Sequence, residues 1–181
     1  MKSTPAYILR LALTLLVITS VVAAALAGVN AITAPKIAAI TAQKTQDAIA
    51  AVLPGGGELL DTFSDETGLV QAVYASETGY AIEVTPAGFD GPITMMVGVS
   101  KDGKVLGVDI ISHTETAGLG AVAAAKTSAG ENFRQQFIGA DSDLAVSKDG
   151  GTIDAITSAS ITSRAVTAGV NAALACAANL G

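Results

Sequence analysis

Between Arg10 and Lys36 the sequence carries no charged residue, and residues 11–29 are almost wholly apolar or small. Roughly 20 such residues in a helix match the hydrocarbon core of a bilayer. The stretch therefore predicts a single transmembrane anchor, and 181 residues leave room for one modest domain beyond it. Lys2 and Arg10 ahead of the stretch place the N-terminus in the cytoplasm, although Lys36 and Lys44 on the far side weaken that charge count. With this orientation residues 36–181 lie outside the cytoplasmic membrane. A cleaved signal peptide is the competing reading, since the Ala-rich residues 23–27 imitate a cleavage site. The apolar run is long for a signal peptide, which favours an uncleaved anchor.

Past Pro35, apolar residues Ile37, Ile40, Ala48, Ile49 and Val52 alternate with polar ones at helical spacing, as in a stalk helix that Pro54-Gly-Gly-Gly57 ends. The chain then divides into a tail and membrane helix (1–35), a stalk and Gly-rich linker (36–57) and a folded domain (58–181). Within that domain, residues 69–76, 79–85, 93–99 and 105–111 read as strands, and Asp102-Gly103 is a hairpin signal between the last two. The near-continuous apolar run of 105–111 predicts burial on both faces. Residues 144–146 are a further candidate strand. Short helices are predicted near 122–125 and over 131–138, where Phe133, Phe137 and Ile138 share a face. Val166, Val170 and Leu174 form one stripe of a C-terminal helix over 163–180. The whole predicts an α+β fold: a mostly antiparallel sheet packed with helices, behind one transmembrane helix.

Several chemistries are excluded. A net charge of −6 does not suit a nucleic-acid surface. The single Cys176 permits no intramolecular disulfide and no thiol-rich metal site. A serine hydrolase would need His113, the one histidine, beside an activated serine, and neither a nucleophile elbow nor a Ser-x-x-Lys pair is present. No phosphate-binding P-loop or full dinucleotide fingerprint occurs.

Two stretches remain. The first, Asp154-Ala-Ile-Thr-Ser-Ala-Ser-Ile-Thr-Ser163, gathers five hydroxyl side chains just ahead of the predicted C-terminal helix. Hydroxyls there can cap the helix, and the helix start also attracts anions, so a cap and an esterified phosphate are both open readings. The second, His113-Thr-Glu-Thr-Ala-Gly-Leu-Gly120, leaves a predicted strand. Its Gly118 and Gly120 either make a plain turn or let the backbone approach a flat ligand.

The first stretch resembles the flavinylation motif of FMN-binding domains, D-x-x-S-G-A-T-x-T-S. The second resembles their H-x-E-T-P-G-L-G loop. With the anchor, the resemblance covers essentially the whole chain, and it is strongest to the G subunits of Rnf-type ion-translocating electron transport complexes. The C subunits of sodium-pumping NADH:quinone reductases are related. The resemblance implies FMN attached as a phosphodiester by a separate flavin transferase that uses FAD and magnesium. The matched acceptor is Ser160, where the motif has threonine, with Thr162 as a fallback and Thr157, Ser158 and Ala159 beside it. Ser158 stands where the motif has glycine, and Ala117 where the loop has proline. Glu115, Thr116, Gly118, Leu119 and Gly120 would cover the ring, with Leu119 against its face and Thr116 at its edge. Lys148 either places positive charge by the flavin or is a solvated turn lysine.

The implied function is electron transfer by a membrane-anchored protein without independent catalysis. Its complex would couple ferredoxin and NAD electron transfer to sodium or proton translocation. Its partners would be the other membrane subunits, the flavin transferase and lipid. The alternative is an anchored structural or binding domain that never carries flavin. A flavin-based regulatory sensor would bring further membrane helices or ferredoxin-like cysteines, which this sequence lacks.

Overall fold

A computed structural model describes residues 4–180; Lys2, used above for orientation, lies outside them. The chain forms two compact units that divide after Gln43. Helix α1 (Thr4–Val52) supplies the first unit and the opening turns of the second. Up to Gln43 its large apolar side chains are exposed all round the helix, among them Leu9, Leu13, Val17 and Leu26. The hydroxyls of Thr14, Thr19 and Thr33 donate back to carbonyls four residues earlier, at 2.8, 2.9 and 3.0 Å. Polar atoms satisfied within the helix are what a hydrocarbon surrounding requires. Among the described residues this is the one helix long and apolar enough to cross a membrane.

The second unit begins at Lys44, inside the segment read as a stalk. It is built on a five-stranded antiparallel sheet in sequence order: β1 (Glu58–Leu59), β2 (Val70–Ala75), β3 (Gly79–Val84), β4 (Thr94–Ser100) and β5 (Val105–Ser112). Each strand pairs with its neighbour in the chain. At the β4–β5 turn Gly103 adopts φ +74°, and Ser100 N–H donates to Lys104 O at 2.8 Å.

Strand alternation sorts the residues onto two faces. Tyr80, Ile82, Val84, Met95, Val97 and Val99 enter the main core with α3 (Ser160–Ala178) and α2 (Ser128–Gln135). The ring of Phe133 in α2 meets Phe137, just past the helix, edge-on at 5.4 Å. Ala81 and Met96 point the other way, into a second cluster with Ala48, Ile49, Val52 and Leu53 at the end of α1. Gly98 makes this contact possible, because a Cβ there would strike the carbonyl oxygen of Val52.

Several expectations change. The strands buried on both faces are β3 and β4, whereas β5 lies at the sheet edge with Leu106 and Ser112 exposed. Position in the sheet and the cover from α1 decide this, not apolar content. Residues 144–146 form no strand: Val146 makes one parallel bridge to Ile153, and the Asn171 amide binds both Leu144 N (3.0 Å) and Leu144 O (2.8 Å). The C-terminal helix starts at Ser160, three residues before the expected position. The segment near 122–125 is a 3₁₀ turn, Gly120–Ala124.

Candidate functional site

The start of α3 explains why so many hydroxyls cluster there. The residue preceding the helix is Ala159, which has no side chain able to cap it, so the cap reading does not hold. Ser163 instead ties the approach to the helix: its Oγ accepts from Ile156 N–H at 3.0 Å and donates to Ala159 O at 2.9 Å. Gln136 holds the other end of the segment, donating to Asp154 O and accepting from Asp154 N–H at 3.2 and 2.7 Å. Between these tethers Ser158 turns the chain at φ +62°, a left-handed conformation in which glycine is the unstrained residue. That turn delivers Ser160 as the first residue of α3, where helix geometry leaves the backbone N–H groups of the first turn without intrahelical partners.

A lysine meets this hydroxyl. Lys148 Nζ donates to Ser160 Oγ at 3.1 Å from a 3₁₀ turn, Ser147–Asp149. The turn is locked by Asp149, whose carboxylate accepts from Arg164 Nε and a terminal guanidinium nitrogen at 2.6 and 2.7 Å. Arg164 sits one helical turn beyond Ser160, so the ion pair fixes the turn to α3. The Arg164 hydrogen bond chiefly holds the Asp149 carboxyl below its ordinary range.

Beside Ser160 lies a cleft of about 320 Å³. Its walls include Glu115, Thr116, Leu119 and Gly120 from the loop after β5, and the chain from Ser158 to Thr162. Two other wall residues, Phe89 and Ile161, are not among those either sequence motif pointed to. Both are apolar and exposed, and an aromatic side chain within the Gly- and Pro-rich loop 86–92 was the available signal for Phe89. Thr157 and Gly118 face a separate open groove with Asp154 and Asn132. Lys148 stands beside Ser160 without lining the cleft.

Glu115 joins the three segments of the wall. It is 7% exposed, yet all its hydrogen-bonding needs are met. Oε1 accepts from Phe89 N–H (2.8 Å) and Asp90 N–H (3.2 Å), and Oε2 accepts from the Thr162 hydroxyl (2.5 Å). Its own N–H donates to His113 Nδ1 at 3.2 Å. Burial pushes its carboxyl pKa up, but the Thr162 hydroxyl, the Asp90 and Phe89 amides and nearby His113 outweigh that and hold it below the usual value. Thr162, the fallback acceptor, is thereby buried with its hydroxyl engaged. Gly120 serves this pair, because a Cβ would collide with Glu115 Oε2 and Thr162 Oγ1. Gly118 is required for another reason, its φ of +76° with open space around it.

The comparisons with known proteins bear on the same residues. Residues 88–175 match the model of the FMN-binding domain, a span that contains the cleft, Lys148 and Ser160. The G subunit of the Na(+)-translocating ferredoxin:NAD(+) oxidoreductase complex of Acetobacterium woodii is 33% identical over 189 residues, covering 91% of this chain and 88% of that protein. The G subunit of the proton-translocating ferredoxin:NAD(+) oxidoreductase complex of Clostridium ljungdahlii is 41% identical over 110 residues, covering 56% of this chain and 57% of its own length. The G subunit of the ion-translocating oxidoreductase complex of Pseudomonas aeruginosa is 42% identical over 92 residues, but the match spans only 43% of it. The anchor-length helix, the antiparallel sheet and the cleft at Ser160 thus accompany a likeness to the Acetobacterium protein over nearly its whole length, and the chain belongs to the family of G subunits of Rnf-type ion-translocating oxidoreductase complexes, with its match to the FMN-binding domain over residues 88–175.

Proposed function

We propose that this chain is a membrane-anchored electron carrier that holds FMN covalently, through its phosphate, on Ser160. The observation that carries this reading is the placement of the Ser160 hydroxyl. It opens α3, adjoins an apolar cleft and receives the Lys148 ammonium at 3.1 Å. The residues present fit the group. Leu119, Ile161 and Phe89 offer apolar contact to a flat ring system. The first-turn amides and Lys148 offer donors to an anion that keeps one negative charge as a phosphodiester. Ser160 supplies the esterified oxygen, Thr116 a polar group at the ring's edge, and Glu115 with Gly120 the shape of the wall. Bound FMN would supply reversible one- and two-electron redox chemistry.

The apolar part of α1 serves as the anchor, with the N-terminus in the cytoplasm and the FMN-binding domain outside. The partners are the other membrane subunits of an Rnf-type complex, between which electrons pass while sodium ions or protons are moved. A flavin transferase loads the flavin. Intact mass of the protein co-expressed with such a transferase tests the attachment. The native chain should gain the mass of FMN less one water, and Ser160→Ala should gain nothing. Full labelling of Ser160→Ala would move the site elsewhere. An unlabelled native chain would favour an anchored domain without flavin.

A further inference from the structure

The loop between β3 and β4 is a narrow finger whose backbone is held from inside and outside. Gly88 N–H donates to Gly91 O at 2.7 Å and Ile93 N–H to Pro86 O at 2.9 Å, which closes the finger on itself. At its tip, Glu115 Oε1 binds the N–H groups of Phe89 and Asp90, and the Thr114 hydroxyl donates to Asp90 O at 3.1 Å. A Cβ on Gly88 would strike Glu115, and one on Gly91 would strike Thr114. The tip backbone is therefore held closely by Glu115 and Thr114, yet the Phe89 side chain is 67% exposed. It shares the cleft with Leu119 and Ile161, which are 41% and 50% exposed. A single exposed apolar residue needs no explanation, but three around one cleft indicate a surface that something apolar covers. Phe89 is the one aromatic residue of that wall.

We infer that Phe89 covers the isoalloxazine ring of the flavin and that Glu115 is the positioning residue that holds it there. The inference rests on the reading that FMN is tethered at Ser160, since a tether at that point confines the ring to this cleft. An aromatic face gains from offset stacking beyond the area it buries, and it keeps water from the ring. Glu115 suits its task because every group it accepts from is a donor. A carboxylate accepts from all three at once, whereas glutamine, keeping its oxygen on the two amides, would turn its NH₂ to Thr162 and reverse the hydroxyl's bond. Ionised Glu115 thus joins the Phe89 tip to Thr162, two residues from the proposed tether.

The test uses the full chain, loaded by a flavin transferase, with optical measurements confined to molecules whose mass shows the covalent flavin. Phe89→Trp places a strong short-range quencher at the tip, and flavin emission should fall by about fivefold or more if the side chain meets the ring. Phe89→Ala should raise the iodide quenching constant of the flavin by about twofold as the face opens to water. Glu115→Gln and Thr162→Val should raise it as well, while Thr162→Ser, which keeps the donor, should restore the native value. Thr162→Val keeps the Glu115 arm testable if Glu115→Gln does not fold. Native emission in Phe89→Trp, or native iodide access in Phe89→Ala, overturns the Phe89 assignment. A rise in Phe89→Ala with none in Glu115→Gln and Thr162→Val overturns the role of Glu115 alone. A native chain without covalent flavin overturns the tether reading and this inference together.

Discussion

The ammonium of Lys148 lies 3.1 Å from the hydroxyl oxygen of Ser160, joining a 3₁₀ turn to the first residue of α3. If that oxygen carries the proposed FMN phosphoester, the lysine would face a phosphodiester instead of a hydroxyl, and the hydrogen bond would become an ion pair. Both groups are solvent-accessible, so the pairing is modest and sensitive to salt. Lys148→Met should therefore lower the potential of the tethered flavin at low ionic strength. The difference from the native protein should shrink as salt rises toward 1 M, where the screening length is about 3 Å. Redox titration at two salt concentrations checks this, and a salt-independent difference would show that Lys148 acts through the fold instead.

Ser158 holds φ +62° without glycine's freedom. A left-handed residue with a Cβ costs roughly 1–2 kcal/mol, and glycine returns about 0.5–1 kcal/mol of that through the entropy of the unfolded chain. Ser158→Gly should therefore stabilise the domain by about 0.5 kcal/mol, a rise in Tm of about 2 °C. Thermal unfolding followed by circular dichroism reads this directly. A lower Tm would mean that the serine side chain makes contacts that outweigh its strain.

Much of the sheet was legible because in β3 Tyr80, Ile82 and Val84 alternate with Gly79, Ala81 and Glu83, and because Asp102-Gly103 marks the turn into β5. What periodicity does not convey is which strand lies under a distant helix. Gly98 reads as a gap in an apolar strand, and its purpose, admitting Val52, depends on a residue far away in the chain. The site divides similarly. Ser160 stands out by its local pattern, but the bond from Thr162 to Glu115 spans 47 residues and could not be read from either motif. Gly118 and Gly120 look alike in sequence, yet one relieves a backbone angle and the other clears space for that bond. Ser163 resembles its neighbours and works as a brace for the turn, not as a helix cap.

The last turns of α1 belong to the folded unit, which has a consequence for excising it. Ile49, Val52 and Leu53 are at most 2% exposed, against Ala81 and Met96. Burying each such side chain contributes about 1.5–3 kcal/mol, so a fragment starting at Glu58 forfeits about 5 kcal/mol or more. That is comparable with the whole stability of many domains, roughly 5–15 kcal/mol. A fragment of residues 44–181 should unfold cooperatively in urea. One of residues 58–181 should bind a hydrophobic dye and unfold early and broadly. Equal midpoints would show that the second face of the sheet tolerates water.

Two glutamates should give opposite pH signatures. Glu115 has its pKa lowered in the fold, so its contribution is complete above the unfolded value and fades as pH falls through the folded one. Glu83, half-buried on β3 beside Tyr74, has its pKa raised by burial. Its ionised form is penalised by the fold, fully above its folded pKa and not at all below the unfolded one. Glu115→Gln should thus destabilise most near pH 7 and progressively less in acid below the usual carboxyl range. Glu83→Gln should stabilise near pH 7, with a gain that vanishes as the native side chain becomes protonated in both states. Urea midpoints for the two variants and the native chain, from about pH 3 to pH 7, separate these signs because linkage sets the slope of stability against pH. A Glu83→Gln gain that persists unchanged in acid would place its origin in packing and leave the charge of Glu83 without a cost.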